Sequence, residues 1–216
     1  MRKTIIGVFT LATLLFTACK SGENTTEENK EKGDKTEAKK EEKAKYTVVA
    51  EESLINWKGS WVGGKEDGKQ HHGTVQITAG SITKDGDQMT GKMTVDLTTI
   101  NNQDLEKGSK LRSKFQGHMA SEEFFNTSEA AKVNVDVNGI KDDKAMISIH
   151  ILGTVIEQTI PVSIQMEGEN MMLSGDFTVD FDKLDMKGMQ PNPKNPEKGS
   201  VSSEIEYELD AKLAKQ

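Results

Sequence analysis

Cysteine is nearly absent: the 216-residue chain has one, Cys19. A single thiol cannot close an internal disulfide, so the fold has no covalent staple and must rest on a packed core. The common catalytic motifs are missing too, with no Gly-x-Ser-x-Gly turn and no phosphate-cradling glycine loop. The four histidines propose no zinc pattern. His71 and His72 are neighbours, which point to opposite faces of a strand, and His118 and His150 lie far along the chain. Neither a metal nor a cofactor is expected. A basic surplus is also missing: the net charge is −7, and from Tyr46 onward 18 basic residues face 27 acidic ones, a net −9. A domain this acidic is repelled by phosphate backbones, which excludes nucleic acid as a partner and leaves no basic patch for anionic headgroups.

Long hydrophobic runs are confined to residues 5–16, which are too few to span a bilayer as a stable helix. Arg2 and Lys3 precede this run, so residues 1–18 read as a secretory signal peptide. Thr17 and Ala18 lead into Cys19 in an arrangement that resembles a lipobox, where the signal is cut before a cysteine that takes diacylglycerol. Phe16 departs from the usual leucine, and Leu15 stands one place early. The expectation is an exported cell-envelope lipoprotein, lipidated at Cys19 and held at the periplasmic face of a membrane or in the outer membrane. Residues 20–45 carry eight lysines, eight acidic residues and no aliphatic side chain larger than alanine. Such a segment cannot bury enough apolar surface to order itself. Residues 19–45 are therefore read as a lipidated, disordered tether, spanning roughly 30 Å as a flexible coil.

From residue 46 to 216 the dominant period is two. Val75 and Ile77 alternate with polar neighbours, as do Met93, Val95 and Leu97, then Val133, Val135 and Val137, then Ile147, Ile149 and Ile151. Ile160 to Met166, Met171 to Phe181 and Ile205 to Leu209 continue the pattern. This is the signature of half-buried antiparallel strands. Turn residues punctuate them at Asp85-Gly86, Asp142-Asp143 and Gly168-Glu169. About eight strands in hairpin succession predict an all-β, antiparallel, lipocalin-like barrel, because a sheet of that size tends to curl and close. Residues 101–127 break the period and predict one or two short helices ending in Phe124-Phe125. Residues 185–200, with Pro191, Pro193 and Pro196, form either a lid at the barrel mouth or an irregular connection. Such a barrel is either filled by its own side chains, including Met89, Met93, Met146, Met166, Met171 and Met172, or hollow around a narrow apolar ligand.

Short motifs carry a family resemblance. Residues 53–59 (Ser-Leu-Ile-Asn-Trp-Lys-Gly) followed by His72-Gly73-Thr74 resemble the opening of YceI-like domains. Residues 95–100 (Val-Asp-Leu-Thr-Thr-Ile) with Asp104, and Leu111, His118-Met119, Ser121 and Glu123-Phe124-Phe125, resemble later segments of that family. Ser128-Glu129-Ala130-Ala131 replaces the family's Tyr-Pro, and the turn around residues 151–154 only loosely echoes its counterpart. The resemblance implies an elongated apolar pocket that holds a polyisoprenoid, such as an isoprenoid quinone, or another long-chain lipid. It also implies a periplasmic or secreted setting and a link to stress.

The expected ligand-binding residues are Trp57, His72, Met93, Val95, Phe115, His118, Phe124, Phe125, Val135, Ile149, Ile164, Phe177 and Val179, with His72 or His118 fixing a headgroup near the mouth. The expected function is non-enzymatic: a membrane-anchored binding protein for transport, storage or stress response. A homodimer is compatible with such a domain. Two alternatives stand beside it: an enzyme acting on a lipid-like substrate with His72 or His118 as base, and a filled-core structural lipoprotein.

Overall fold

The computed structural model describes residues 43–216. The signal segment, Cys19 and the tether up to residue 42 lie outside the described residues. Eleven strands follow: β1 (Ala44–Val48), β2 (Leu54–Val62), β3 (Gln70–Asp85), β4 (Gln88–Asn102), β5 (Lys132–Lys141), β6 (Lys144–Ile151), β7 (Thr154–Pro161), β8 (Ser163–Glu167), β9 (Asn170–Asp180), β10 (Ser200–Val201) and β11 (Glu204–Lys215). One helix, α1 (Lys110–Ala120), lies between β4 and β5. The first strand corrects the tether boundary: Ala44 and Lys45, assigned to the tether by composition, pair with Lys84 and Thr83.

The pairings form a closed ring. From β2 each strand pairs antiparallel with the next as far as β7. β7 continues through Val162 alone into β8, which pairs with β9; β9 pairs with β11, and β11 returns to β2. Three staves are interrupted strands. β1 continues the line of β2 between β11 and β3, β8 continues β7, and the two residues of β10 precede β11 and pair with the end of β2. Counted this way, eight staves close the barrel expected from the alternation.

Each interruption needs a local repair, because a buried backbone group without a partner is costly. Between β1 and β2 the repair is Ser53, a buried residue whose hydroxyl donates to the Lys212 carbonyl (3.2 Å) and accepts from the Lys212 N–H (3.0 Å). At the bend between β7 and β8 the staves crowd together. A Cβ on Gly175 of β9 would run into the Pro161 carbonyl, so the sheet closes there only because that position has no side chain.

The barrel is solid at one end. Tyr46, Ile82, Met171, Ala211 and Leu213 are all buried and pack where β1 lies across the ends of β3 and β11. The tight turns between β3 and β4, β5 and β6, and β8 and β9 sit at this end. The long connections, residues 63–69, 103–131 and 181–199, gather at the other.

The helical segment is shorter than the sequence pattern predicts. Asn101 and Asn102 still belong to β4, and only residues 110–120 form an α-helix. The reason is capping. Asn102 accepts from the Leu105 N–H (2.8 Å), Ser109 caps the helix by accepting from the Arg112 N–H (3.2 Å), and Ser121 donates back to the His118 carbonyl (2.7 Å).

Two outcomes are expected in urea unfolding of the full chain. Gly175→Val should destabilise by about 1–3 kcal/mol, since the added side chain has nowhere to go at the crossing. Ser53→Ala should cost about 1–2 kcal/mol, since it strands the Lys212 amide, while the Lys212 carbonyl keeps the Val49 N–H. Wild-type stability in either variant would show that the corresponding interruption needs no repair.

Candidate functional site

Above the solid end the barrel is hollow. The cavity has a volume of about 590 Å3, within the range of roughly 300–1,000 Å3 common for small-molecule sites. This corrects the filled-core alternative. The wall follows the period of two: Ile55, Trp57 and Trp61 from β2; Met93, Val95 and Leu97 from β4; Val133, Val135 and Val137 from β5. Val75 and Ile77 from β3, Ile147, Ile149 and Ile151 from β6, Ile160 from β7, Leu173, Phe177 and Val179 from β9, and Ile205, Tyr207 and Leu209 from β11 continue it.

The two ends of the cavity differ in chemistry. Next to the solid end the lining is aliphatic, with Ile140, Ala145, Ile160, Val162 and Leu173. Toward the long loops it is aromatic. Trp57 stacks on Phe115 of α1 (centroids 5.7 Å apart, planes 6° apart), and the Trp57 indole N–H donates to the Thr74 carbonyl (3.2 Å). Phe177 and Tyr207 stack at 5.6 Å, and Phe181 meets the Tyr207 ring edge-on at 6.4 Å and Phe125 at 6.5 Å. Gly73 lies opposite Trp57 in the strand pairing, and a Cβ there would meet both the Asn101 carbonyl and the indole. Its bareness lets the indole lie flat against β3.

Helix α1 spans this aromatic end. Leu111, Lys114, Phe115, His118 and Met119 recur at helical spacing on one face and line the cavity, yet no residue of the helix is buried. Leu111 is 67% exposed. An apolar helix face left this open rests on a hollow rather than on a core. The connection of residues 181–199 covers the same end. Met186 is buried, Met189 lines the cavity, and the Gly188 N–H donates to the Glu123 carbonyl (2.7 Å) while its Cα lies under the Phe124 ring.

Polar groups are few, and most are already engaged. His71 bonds through Nδ1 to Asp104 Oδ2 (2.6 Å) and meets Phe115 edge-on at 5.2 Å. Burial pulls the Asp104 carboxyl upward in pKa, but hydrogen bonds from the His72 amide, His71 and Asn102, with the charge on His71, outweigh it and hold the group below its ordinary value. His118 bonds to Glu123. Burial pushes the Tyr207 phenol upward. Among the described residues no group of three or more His, Cys, Asp or Glu converges in a way that could hold a metal.

The structure places eleven of the thirteen expected residues on the cavity wall: Trp57, Met93, Val95, Phe115, His118, Phe124, Phe125, Val135, Ile149, Phe177 and Val179. Two expectations are corrected. His72 points outward, with its side chain 56% exposed, and His71 takes the inward position. The strand pairing opposes Trp57 with Gly73, so odd-numbered positions of β3 face in; Val75 and Ile77 already carried that parity. Ile164 lies past the bend at Val162 and packs on the core without reaching the cavity.

The methionines are mostly elsewhere. Met171 belongs to the solid end, Met146 and Met166 are about half exposed, and of the six named only Met93 lines the hollow. Sequence reasoning missed Trp61, Lys114, Phe181, Met189 and Tyr207 on the wall. Tyr207 and Phe181 sit in phase within alternating runs and are legible by parity. Met189 lies in an irregular loop that carries no period.

Comparison with known proteins agrees with this architecture. No curated protein matches the chain. Its fold is similar to the crystal structure of Burkholderia cenocepacia BcnA, with a TM-score of 0.56 and 12% identity, covering 76% of this chain and 98% of that one. It is also similar to a polyisoprenoid binding domain from Saccharophagus degradans, implicated in plant cell wall breakdown, with a TM-score of 0.53 and 13% identity, covering 79% and 98% of the two chains. At these identities the likeness is one of fold. The family model for the YceI-like domain matches residues 46–213, nearly all of the barrel, and the chain therefore belongs to the YceI-like family.

Proposed function

We propose that this chain is a membrane-anchored, non-catalytic carrier that holds one polyisoprenoid or similar long-chain amphiphile inside the barrel, for transport, storage or stress response. The observation that carries the reading is the graded cavity: a blind aliphatic end and an aromatic end under α1. An apolar chain entering tail first would exchange water for the aliphatic walls, at roughly 25 cal/mol per Å2 of apolar area before the costs of ordering are subtracted. The polyisoprenoid binding named for the Saccharophagus degradans neighbour supports the same ligand class. The catalytic alternative has little to work with, since His72 faces solvent and His118 is engaged with Glu123.

In this reading Cys19 carries the lipid anchor after export, and the charge-balanced tether holds the acidic barrel within roughly 30 Å of the bilayer. Tethering raises the local concentration of the carrier at its lipid source.

Native mass spectrometry of protein purified from membranes, followed by solvent extraction, should find one long-chain lipid per barrel. An empty barrel that also fails to take up added prenyl lipid would sink the proposal. Val135→Trp, which places an indole in mid-cavity, should cut extracted lipid at least about tenfold while leaving the thermal unfolding transition in place; undiminished loading would place the ligand elsewhere. Cys19→Ala should move the protein from the membrane to the soluble fraction with its lipid uptake intact. Continued membrane association of that variant would remove Cys19 as the anchor.

A further inference from the structure

Among the polar side chains that line the cavity, one differs from the rest. His71 and His118 are paired with carboxylates, and the Trp57 N–H is bonded to Thr74. Lys114 is exposed, and Trp61 is next to the exposed end of β2. Tyr207 sits further in, at the fourth position of β11, paired across the sheet with Trp57 on one side and Phe177 on the other. Glu206 and Glu208 take the outer face, so what accessibility Tyr207 has opens on the cavity. Its ring is fixed by Phe177 and Phe181. Among the described residues its hydroxyl makes no hydrogen bond, and yet the oxygen is not sealed off by protein atoms.

A phenol held this way is unusual. Buried tyrosine hydroxyls normally find a partner, because an unsatisfied polar group away from water is costly. Phenylalanine at the same place would fill the same volume without that cost. The hydroxyl is open to the cavity and free to bond what occupies it, and the space in front of it is the proposed ligand space.

We propose that Tyr207 is the headgroup-recognising residue of the cavity, donating its hydroxyl proton to a neutral hydrogen-bond acceptor, such as a carbonyl, on an otherwise apolar long-chain ligand. This rests on the carrier reading above and narrows its ligand class. Neutrality follows from the surroundings. The side chains that strand pairing, strand phase and ring contacts place around Tyr207 are Trp57, Phe177, Phe181, Ile205 and Leu209, none of which carries a charge to compensate a buried anion. Of the basic groups on the wall, Lys114 and His118 belong to α1, and His71 and His118 are each paired with a carboxylate. A carbonyl oxygen needs only one donor, and in a dry cavity that bond is stronger than in water. The same row of aromatic rings would flank a flat headgroup. The ligand's head then lies inside the barrel, just beneath α1, with the chain directed toward Ala145 and Leu173.

The test compares three geranylgeranyl compounds on the full chain: the hydrocarbon, the methyl ketone and the phosphate monoester. Binding is followed by quenching of Trp57 and Trp61 fluorescence, and the ketone's carbonyl stretch is read by infrared spectroscopy. Wild type should bind the ketone about five- to tenfold more tightly than the hydrocarbon, the gain of one well-placed hydrogen bond. Tyr207→Phe should lose that gain and bind both alike, with hydrocarbon affinity unchanged. The bound carbonyl band should lie at lower wavenumber in wild type than in the variant. Because the substitution only removes an unpartnered hydroxyl, the variant should unfold at the wild-type temperature or above, and hydrocarbon binding reports independently that its cavity is intact.

Equal affinity of wild type for ketone and hydrocarbon overturns the assignment. So does ketone binding that survives Tyr207→Phe undiminished, or preference for the phosphate that the substitution leaves unchanged. Failure of all three compounds to bind removes the carrier reading itself, which separates that failure from the loss of Tyr207's role alone.

Discussion

Closure of the sheet on itself is the constraint on which the rest depends. A barrel that is hollow along part of its length packs a core only at its solid end, so every stave must satisfy its neighbour's N–H and C=O groups around the whole ring. The chain meets this with three interrupted staves, and two of the breaks show how they are tolerated. Ser53 substitutes its hydroxyl for missing ladder bonds, and Gly175 leaves room for the Pro161 carbonyl at the bend. One of the interrupted staves also supplies the solid end, where β1 lies across the ends of β3 and β11.

The division between a filled end and a hollow end follows from which side chains meet there. At the solid end a short extra strand, β1, brings Tyr46 against Ile82, and Met171, Ala211 and Leu213 leave no gap. Higher up, the adjacent staves β5 and β6 line the space with β-branched residues, Val133, Val135 and Val137 beside Ile147, Ile149 and Ile151, none long enough to cross it. Val and Ile are stiff at χ1 and cannot fold over to fill it. On the cavity wall large aromatic residues appear only toward α1 and the long loops, where they narrow the hollow without sealing it. Stability thus resides in the plug and the ladder, and the interior wall is free to serve a ligand.

Much of this wall is legible in the alternation of the chain. Strict parity places most of it, since Val95, Val135, Ile149 and Val179 each sit in runs that leave one face dry. The misplaced residues show where parity stops being enough. The tandem histidines carry no phase of their own, and choosing His71 over His72 requires the parity of Val75 and Ile77 to be carried back across Gly73. Ile164 keeps the right parity but lies beyond a bend, so it packs on the core without reaching the cavity. The apolar spacing of residues 101–127 overstates the helix because it does not register the Asn102, Ser109 and Ser121 caps as boundaries.

Amino-acid order alone determined the signal-like start, the charge-balanced segment after Cys19, the two-residue period and the family motifs, because these are properties of neighbours along the chain. Only the tertiary structure decided that the interior is hollow, that its two ends differ, and that the Tyr207 hydroxyl is left without a hydrogen-bond partner among the described residues. Those are properties of residues brought together from opposite sides of a closed ring. Whether side chains meet across it depends on strand tilt and on where the staves bend, quantities that arise only when β9, β11 and β2 complete the circle.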